Sequence, residues 1–314
     1  MIILITGGAG FIGLNLSARL LRLGHEVTSL DNYITSDKNN ISALKNEPGF
    51  KFFETDIINP LPNHVVKVKF DRIYHLACPT GVPNLTVLDS EMALTCSLGT
   101  LNILELAKKN GSRLLFTSSS EIYGNPLISP QTENYTGNVD PVGIRAPYEE
   151  GKRFAETLVK IYYRKYNLQA KIVRIFNTYG PYMAAGDTRV IPLFFTRCLN
   201  GMSLPLHGDG NQKRTFLYID DLIEGLLTVM EKGGAGEVYN LGNHHSVTIF
   251  HLAEKILKLT GNTAGLEKTD RPPHDHQTRM PDLTRISRLG WQPSVSLDEG
   301  LQKTFLWLQK QVKT

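Results

Sequence analysis

A short apolar strand running directly into a glycine-rich turn constrains this chain most: residues 1–13 read MIILITGGAGFIG. Gly7, Gly10 and Gly13 have the spacing of a turn built for close backbone approach to a pyrophosphate. The first glycine permits the tight turn, the second lets the phosphates come near, and the third lets the following helix pack on the strand. Five apolar or β-branched residues precede the turn, and an amphipathic run over 11–23, closed by Gly24, follows it. Such a helix aims free N–H groups and a partial positive charge at the phosphates. The next strand, predicted over 26–30, ends at Asp31, close to where a dinucleotide-binding unit places the acid that accepts from the adenosine ribose hydroxyls. A carboxylate there repels a 2′-phosphate, and no arginine follows in 32–36 to offset it. The reading is therefore NAD rather than NADP.

Strand and helix alternate through the first half of the chain. Strands are predicted over 51–54, 72–76, 113–117 and 170–175, with helical spacing over 91–109 and 148–166. That order specifies an α/β fold, a doubly wound parallel (Rossmann) sheet with its sites at the carboxyl ends of the strands. After Asn177 the texture changes, as Pro181, Pro192, Pro205 and the glycines at 208 and 210 break the chain into shorter pieces. A helix over 222–231 and a strand over 237–241 are expected to return to the first unit. Residues 261–280 read as loop, and 297–311 as a closing amphipathic helix. The expected organisation is an NAD-binding unit at 1–176, joined by 215–245, with a smaller, interrupted substrate lobe over 177–314.

Bulk properties narrow the function. With 314 residues, 41% of them hydrophobic, the chain can bury roughly three quarters of its unfolded surface. A net charge of +4 without basic runs argues against nucleic acid and suits a small anionic substrate. Cys78, Cys96 and Cys198 are widely spaced and lack CxxC pairing, which reads as reduced thiols without a metal site in a cytoplasmic protein. A strand starting at Met1 leaves no room for a signal peptide, and no apolar run is long enough to cross a bilayer.

The chemistry is expected at two places. Tyr148 and Lys152 stand four residues apart at the start of a predicted helix, so both project from one face. A neighbouring ammonium and a positive nicotinamide ring would pull the phenol below its usual value near pH 10, making a base for a hydroxyl proton. The strand end at 117–121 reads Thr-Ser-Ser-Ser-Glu, where a doubly wound sheet presents its site. Ser119 is the expected hydroxyl relay to the tyrosine, and Glu121 the candidate second acid or base.

Taken together these motifs resemble the extended short-chain dehydrogenase/reductases of nucleotide-sugar type, and within them the UDP-glucuronate decarboxylase family. The likeness rests on GGAGFIG at 7–13, DNYIT at 31–35, IYHLA at 73–77, SSEIYG at 119–124, GNVDPVGIRAPYEEGKR at 137–153, RIFNTYGP at 174–181, GDGNQKRTF at 208–216 and LGWQP at 289–293. The resemblance implies one bound NAD and a transient 4-keto sugar. Oxidation at C4 places a carbonyl β to the 6-carboxylate, carbon dioxide leaves, and reduction gives the pentose. It implies that Ser119 and Ser120 orient sugar and carboxylate, that Glu121 assists at C5, and that Arg214 grips a carboxylate or phosphate. Asn177 and Arg279 would hold the diphosphate, and Arg174 would contact substrate. Cofactor contacts are implied at Phe11, Ile12, Asn32, Thr35, Asp56, Ile57, Leu76, Ala77, Thr95, Thr178 and Arg189, beside Tyr148 and Lys152. A homodimer through the helices at 91–109 and 148–166 is also implied. Ser120 beside Glu121 is too weak an acid to help expel a 6-hydroxyl, which favours decarboxylation. A 4-epimerase or 4,6-dehydratase outcome stays open, as does a non-catalytic NAD-binding protein. The chain departs from the family pattern at Leu94 and Tyr182, where cations are usual, and at His207, where an aromatic ring is common.

Overall fold

The computed structural model describes residues 1–183, 186–270 and 278–312. The first half builds β1 (Ile2–Thr6), α1 (Phe11–Arg22), β2 (Glu26–Asp31), β3 (Phe50–Glu54), the single-turn α2 (Asn63–Val66) and β4 (Arg72–His75). It continues with α3 (Asp89–Leu94), α4 (Thr100–Asn110), β5 (Arg113–Ser119), α5 (Ala146–Tyr166) and β6 (Ala170–Ile175). The second half is more broken: β7 (Thr178–Tyr179), α6 (Val190–Leu199), β8 (Leu204–His207), β9 (Lys213–Thr215), β10 (Leu217–Tyr218) and α7 (Ile219–Lys232) come first. After them run β11 (Val238–Leu241), β12 (Ser246–Thr248), α8 (Ile249–Thr260), β13 (Leu266–Thr269), β14 (Thr278–Arg279), α9 (Thr284–Ser287) and α10 (Leu297–Val312).

Seven strands form one all-parallel sheet in the order β11-β6-β5-β4-β1-β2-β3. The chain reverses direction across the sheet at β1, where β2 and β3 lie to one side and β4 to the other. Ligands bind in the crevice beyond the strand ends at such a reversal. Period-two alternation explains the layering: in β1, Ile3 and Ile5 join one apolar cluster and Leu4 the other. Leu16 and Leu20 of α1 and Leu222 and Leu226 of α7 cover the first face. Ile103 and Ala107 of α4 and Ala155 and Val159 of α5 cover the second.

The predicted return of the chain to this sheet is as expected: β11 pairs in parallel with β6, Val238 opposite Ile172. Two expectations need correction. The helix predicted over 91–109 is two helices, α3 and α4, joined by a π-helical turn at Thr95–Gly99. Such turns insert one residue into the ladder without breaking apolar periodicity, so spacing alone does not reveal them. The stretch read as loop, 261–280, holds β13, paired in parallel with β8, and β14, paired with β9. Leu266, Glu267 and Lys268 are exposed, so β13 is held by its backbone ladder and has no apolar alternation to read. Residues 271–277 of that stretch lie outside the described residues.

Candidate active site

The glycine turn is held from behind by β2, since Gly7 and Gly8 both donate their N–H groups to the Leu30 carbonyl, at 2.8 and 3.1 Å. Gly7 is left-handed at φ +74°, and a Cβ on it would lie 2.9 Å from the Ala77 nitrogen. A Cβ on Gly13 would sit 2.1 Å from the Gly7 carbonyl oxygen, so only glycine lets α1 start there. Gly10 differs. A Cβ there meets only the Gly7 oxygen, at 3.3 Å, and Gly10 lines a cavity of ≈ 440 Å³. That bare backbone at the start of α1 is the surface a pyrophosphate needs.

The same cavity is lined by Gly7, Phe11, Ile12, Gly13, Asp31, Asn32, Thr35, Asp56, Ile57, Leu76, Ala77, Thr95 and Arg189. Asp31 stands at the end of β2, where one carboxylate oxygen accepts from the Ala9 N–H (3.0 Å) and the other from the Tyr33 N–H (2.8 Å) and the Ser36 hydroxyl (2.9 Å). Three donors fix its plane before any ribose arrives. Asn32 donates to the Asp56 carboxylate (3.1 Å), closing the adenosine end. The residues present fit an NAD molecule with its pyrophosphate on α1 and its ribose on Asp31.

Pro147 in the first turn of α5 suits a helix entry, where its missing N–H is no loss. Tyr148 and Lys152 follow on its inward side. Lys152 is buried, donates to the Thr117 carbonyl at 2.8 Å, and stands 4.9 Å from the Phe116 ring centroid. This ties α5 to the end of β5. The structure extends β5 to Ser119, whose hydroxyl accepts from the Glu121 N–H (3.2 Å) and bonds the Tyr148 phenol. On the chain's own groups, burial pushes that phenol up, helped by the thiols of Cys78 and Cys96, while Ser119 and Arg189 pull it down. Lys152 is not among the groups that act on the phenol, so the lowering expected from the sequence falls to the nicotinamide ring.

Beside Ser119, the Glu121 carboxylate is clamped by two guanidinium groups, those of Arg145 and Arg279. A second bond from Arg279 reaches the same carboxylate at 3.0 Å. Arg145 also donates to Glu149 at 2.9 Å. A second cavity, ≈ 610 Å³, opens next to this cluster and is lined by Arg145, Asn177, Thr178, Arg189, His207 and Arg214 among others. Arg189 lies on both cavities and pairs with Asp187. Tyr148 lines neither cavity itself, but Cys78 and Arg189, which line the first, lie close enough to act on its phenol.

The family model for GDP-mannose 4,6 dehydratase matches residues 4–304. The chain belongs to that family. Within it, the chain is 42% identical over 303 residues to UDP-glucuronic acid decarboxylase 6 of Arabidopsis thaliana, covering 96% of this chain and 87% of that protein. In structure it is similar to a UDP-glucose 4-epimerase of Thermotoga maritima with UDP-glucose, at TM-score 0.90 and 28% identity, covering 99% and 100% of the two chains. It is also similar to a dTDP-glucose 4,6-dehydratase of Bacillus anthracis in complex with NAD, at TM-score 0.87 and 29% identity, covering 100% and 98%.

In this member of the GDP-mannose 4,6 dehydratase family, three expected residues stand elsewhere than the motifs implied. Arg174 lines neither cavity. It is buried, doubly bonded to Glu156 (2.9 and 2.8 Å), and donates to the Tyr123 hydroxyl and the Glu133 carbonyl. Those bonds hold β6 to α5 and to the segment after β5. Thr178 lies on the second cavity, not the cofactor cavity, and its hydroxyl donates to the Phe176 carbonyl. Arg279 sits on Glu121. Arg145 was given no role from the sequence, although it precedes Tyr148 by three residues in the 137–153 motif. Its place at the helix entry, one turn before the phenol, was the available signal.

Proposed function

We propose that this chain binds NAD and converts UDP-glucuronate to UDP-xylose by oxidation at C4, loss of carbon dioxide and reduction. The observation that carries the reading is Glu121, with Ser120 rather than a second carboxylic acid beside it, held between Arg145 and Arg279. No aspartic acid stands beside Glu121 to help expel a 6-hydroxyl. The 42% identity to a protein named UDP-glucuronic acid decarboxylase supports it.

Bound NAD supplies a reversible two-electron acceptor beside C4. Tyr148 takes the 4-hydroxyl proton through Ser119, whose hydroxyl already bonds the phenol. Lys152, fixed on Thr117, keeps α5 at the depth that reaches C4. With C4 a carbonyl, the C5–C6 electrons flow into it and carbon dioxide leaves. The carbanion left at C5 takes up one proton from solvent water, while Arg145 keeps the Glu121 carboxylate in place. Tyr148 then returns its proton to the C4 oxygen. Asn177 and Arg214 would receive the diphosphate in the second cavity. The NAD-binding unit would comprise 1–176 with 215–245, and 177–314 the substrate lobe.

The reading includes a homodimer packed through α3, α4 and α5, supported by the apolar side chains these helices leave exposed, Leu94, Leu101, Phe154 and Ile161. It places the protein in the cytoplasm, supported by the absence of disulfides among its three cysteines. No helix of the described residues is long and apolar enough to cross a membrane.

One NMR tube with enzyme, NAD and carboxyl-labelled UDP-glucuronate tests the reaction. Loss of label with formation of a UDP-pentose is expected, and Tyr148→Phe should slow it by roughly 10²–10⁴-fold. Retained label while UDP-glucose is epimerised or dehydrated would overturn the decarboxylase reading.

A further inference from the structure

Two of the three cysteines face each other across the wall of the cofactor cavity. Cys78 follows β4 and lines that cavity. Cys96 lies buried in the π-helical turn between α3 and α4, and the two sulfurs are 3.5 Å apart. A Cβ on Gly151 would stand 3.4 Å from the Cys96 sulfur, so Cys96 packs one residue from Lys152 and one helical turn from Tyr148. Their spacing in sequence, eighteen positions with no CxxC motif, hides this pairing.

We propose that Cys78 and Cys96 are a modification site, an oxidisable pair that hydrogen peroxide entering through the cofactor cavity converts to a disulfide, disabling the site until a thiol reductant restores it. The chemistry balances. A thiolate of the pair attacks one peroxide oxygen, the O–O bond breaks, and hydroxide leaves, taking up a proton as water. The second thiol gives up its proton and attacks the sulfenic sulfur, and the hydroxide released carries that proton off as a second water. Two thiols are oxidised by two electrons and the peroxide is reduced by two. The pair divides the roles: the bond from Cys78 lowers the Cys96 thiol, helped by the Lys152 ammonium against the opposing effect of burial, while the same bond and burial push the Cys78 thiol up, so Cys96 is the attacking thiolate and Cys78 the second thiol.

The cost to function follows from geometry. A disulfide bond is about 2.05 Å long, whereas the sulfurs now stand 3.5 Å apart. Closing that gap drags the cavity wall at Ala77 and Cys78 toward the turn carrying Thr95, both of which line the cofactor cavity. A displacement of about 1 Å in a catalytic site costs roughly 10²-fold.

The test exposes the full chain to graded hydrogen peroxide, then maps peptides without reduction and titrates NAD. A Cys78–Cys96 peptide is expected, with NAD affinity and turnover falling together by roughly 10- to 10²-fold and returning with dithiothreitol. Cys96→Ala should keep basal NAD binding and resist peroxide, with Cys96→Ser as the second variant should the alanine form fold poorly. Cys198→Ala should respond like the parent. No such peptide, or a full yield of it with NAD affinity unchanged, would overturn the proposal. Mapping and NAD titration need no sugar, so this result stands apart from the success or failure of the decarboxylase reading.

Discussion

Asp31, the residue proposed to take the ribose, accepts three hydrogen bonds from its own chain, which makes it the peg that holds the loop after β2. Asp31→Ala should therefore weaken NAD by roughly 1–3 kcal/mol and narrow the preference over NADP, because the charge that repels a 2′-phosphate goes with it. Parallel titrations with the two cofactors check this, and an unchanged ratio would remove Asp31 from cofactor choice. The residues legible in the sequence were those whose partners lie nearby in the chain. Ser119, Glu121, Tyr148 and Lys152 announce themselves by local spacing and strand-end position. Arg279 did not, because its partner Glu121 is 158 positions away and the pairing depends on where β14 docks. Arg174 misled for the converse reason: it sits in a family motif, yet its guanidinium is taken by Glu156, Tyr123 and Glu133, and only the packed structure shows that commitment.

Among elements, the strand–turn–helix of β1 and α1 was the most readable, since a steric rule writes it directly into glycine positions. A Cβ at Gly13 would stand 2.1 Å from the Gly7 carbonyl oxygen, backbone that cannot swing aside like a side chain. Gly13→Ala should destabilise the fold by about 1–3 kcal/mol and weaken NAD, seen as a lower melting temperature and a shifted titration. An alanine form that melts and binds like the parent would show that the turn has slack the structure denies. The parallel sheet was legible for a related reason: strands buried on both faces carry unbroken apolar runs, Ile2–Ile5 in β1 and Leu114–Phe116 in β5. The π-helical turn and the exposed β13 were not, because neither changes which residues are apolar. Their positions are set by backbone hydrogen bonds that hydropathy does not encode.

For the molecule as a whole, the exposed apolar side chains on α3, α4 and α5 set up the clearest expectation. Phe154 of α5 is 50% exposed and Leu94 of α3 42%. Burying a large apolar side chain is worth about 1.5–3 kcal/mol, so a charge in its place should break the association. Phe154→Glu is expected to sediment as a monomer where the parent sediments as a dimer. A parent that is monomeric at every concentration would sink the dimer. A different consequence lies in how β11 reaches the sheet. It pairs with β6, but more than sixty residues separate their ends, and in that interval the chain builds α6, β8, β9 and α7. A nascent chain emerging from the ribosome thus carries β6 as an unpaired edge until residue 241 has been made. Strand edges of that kind recruit other chains, so fragments ending near 176 should clump, and the first half of the chain cannot complete its sheet ahead of β11.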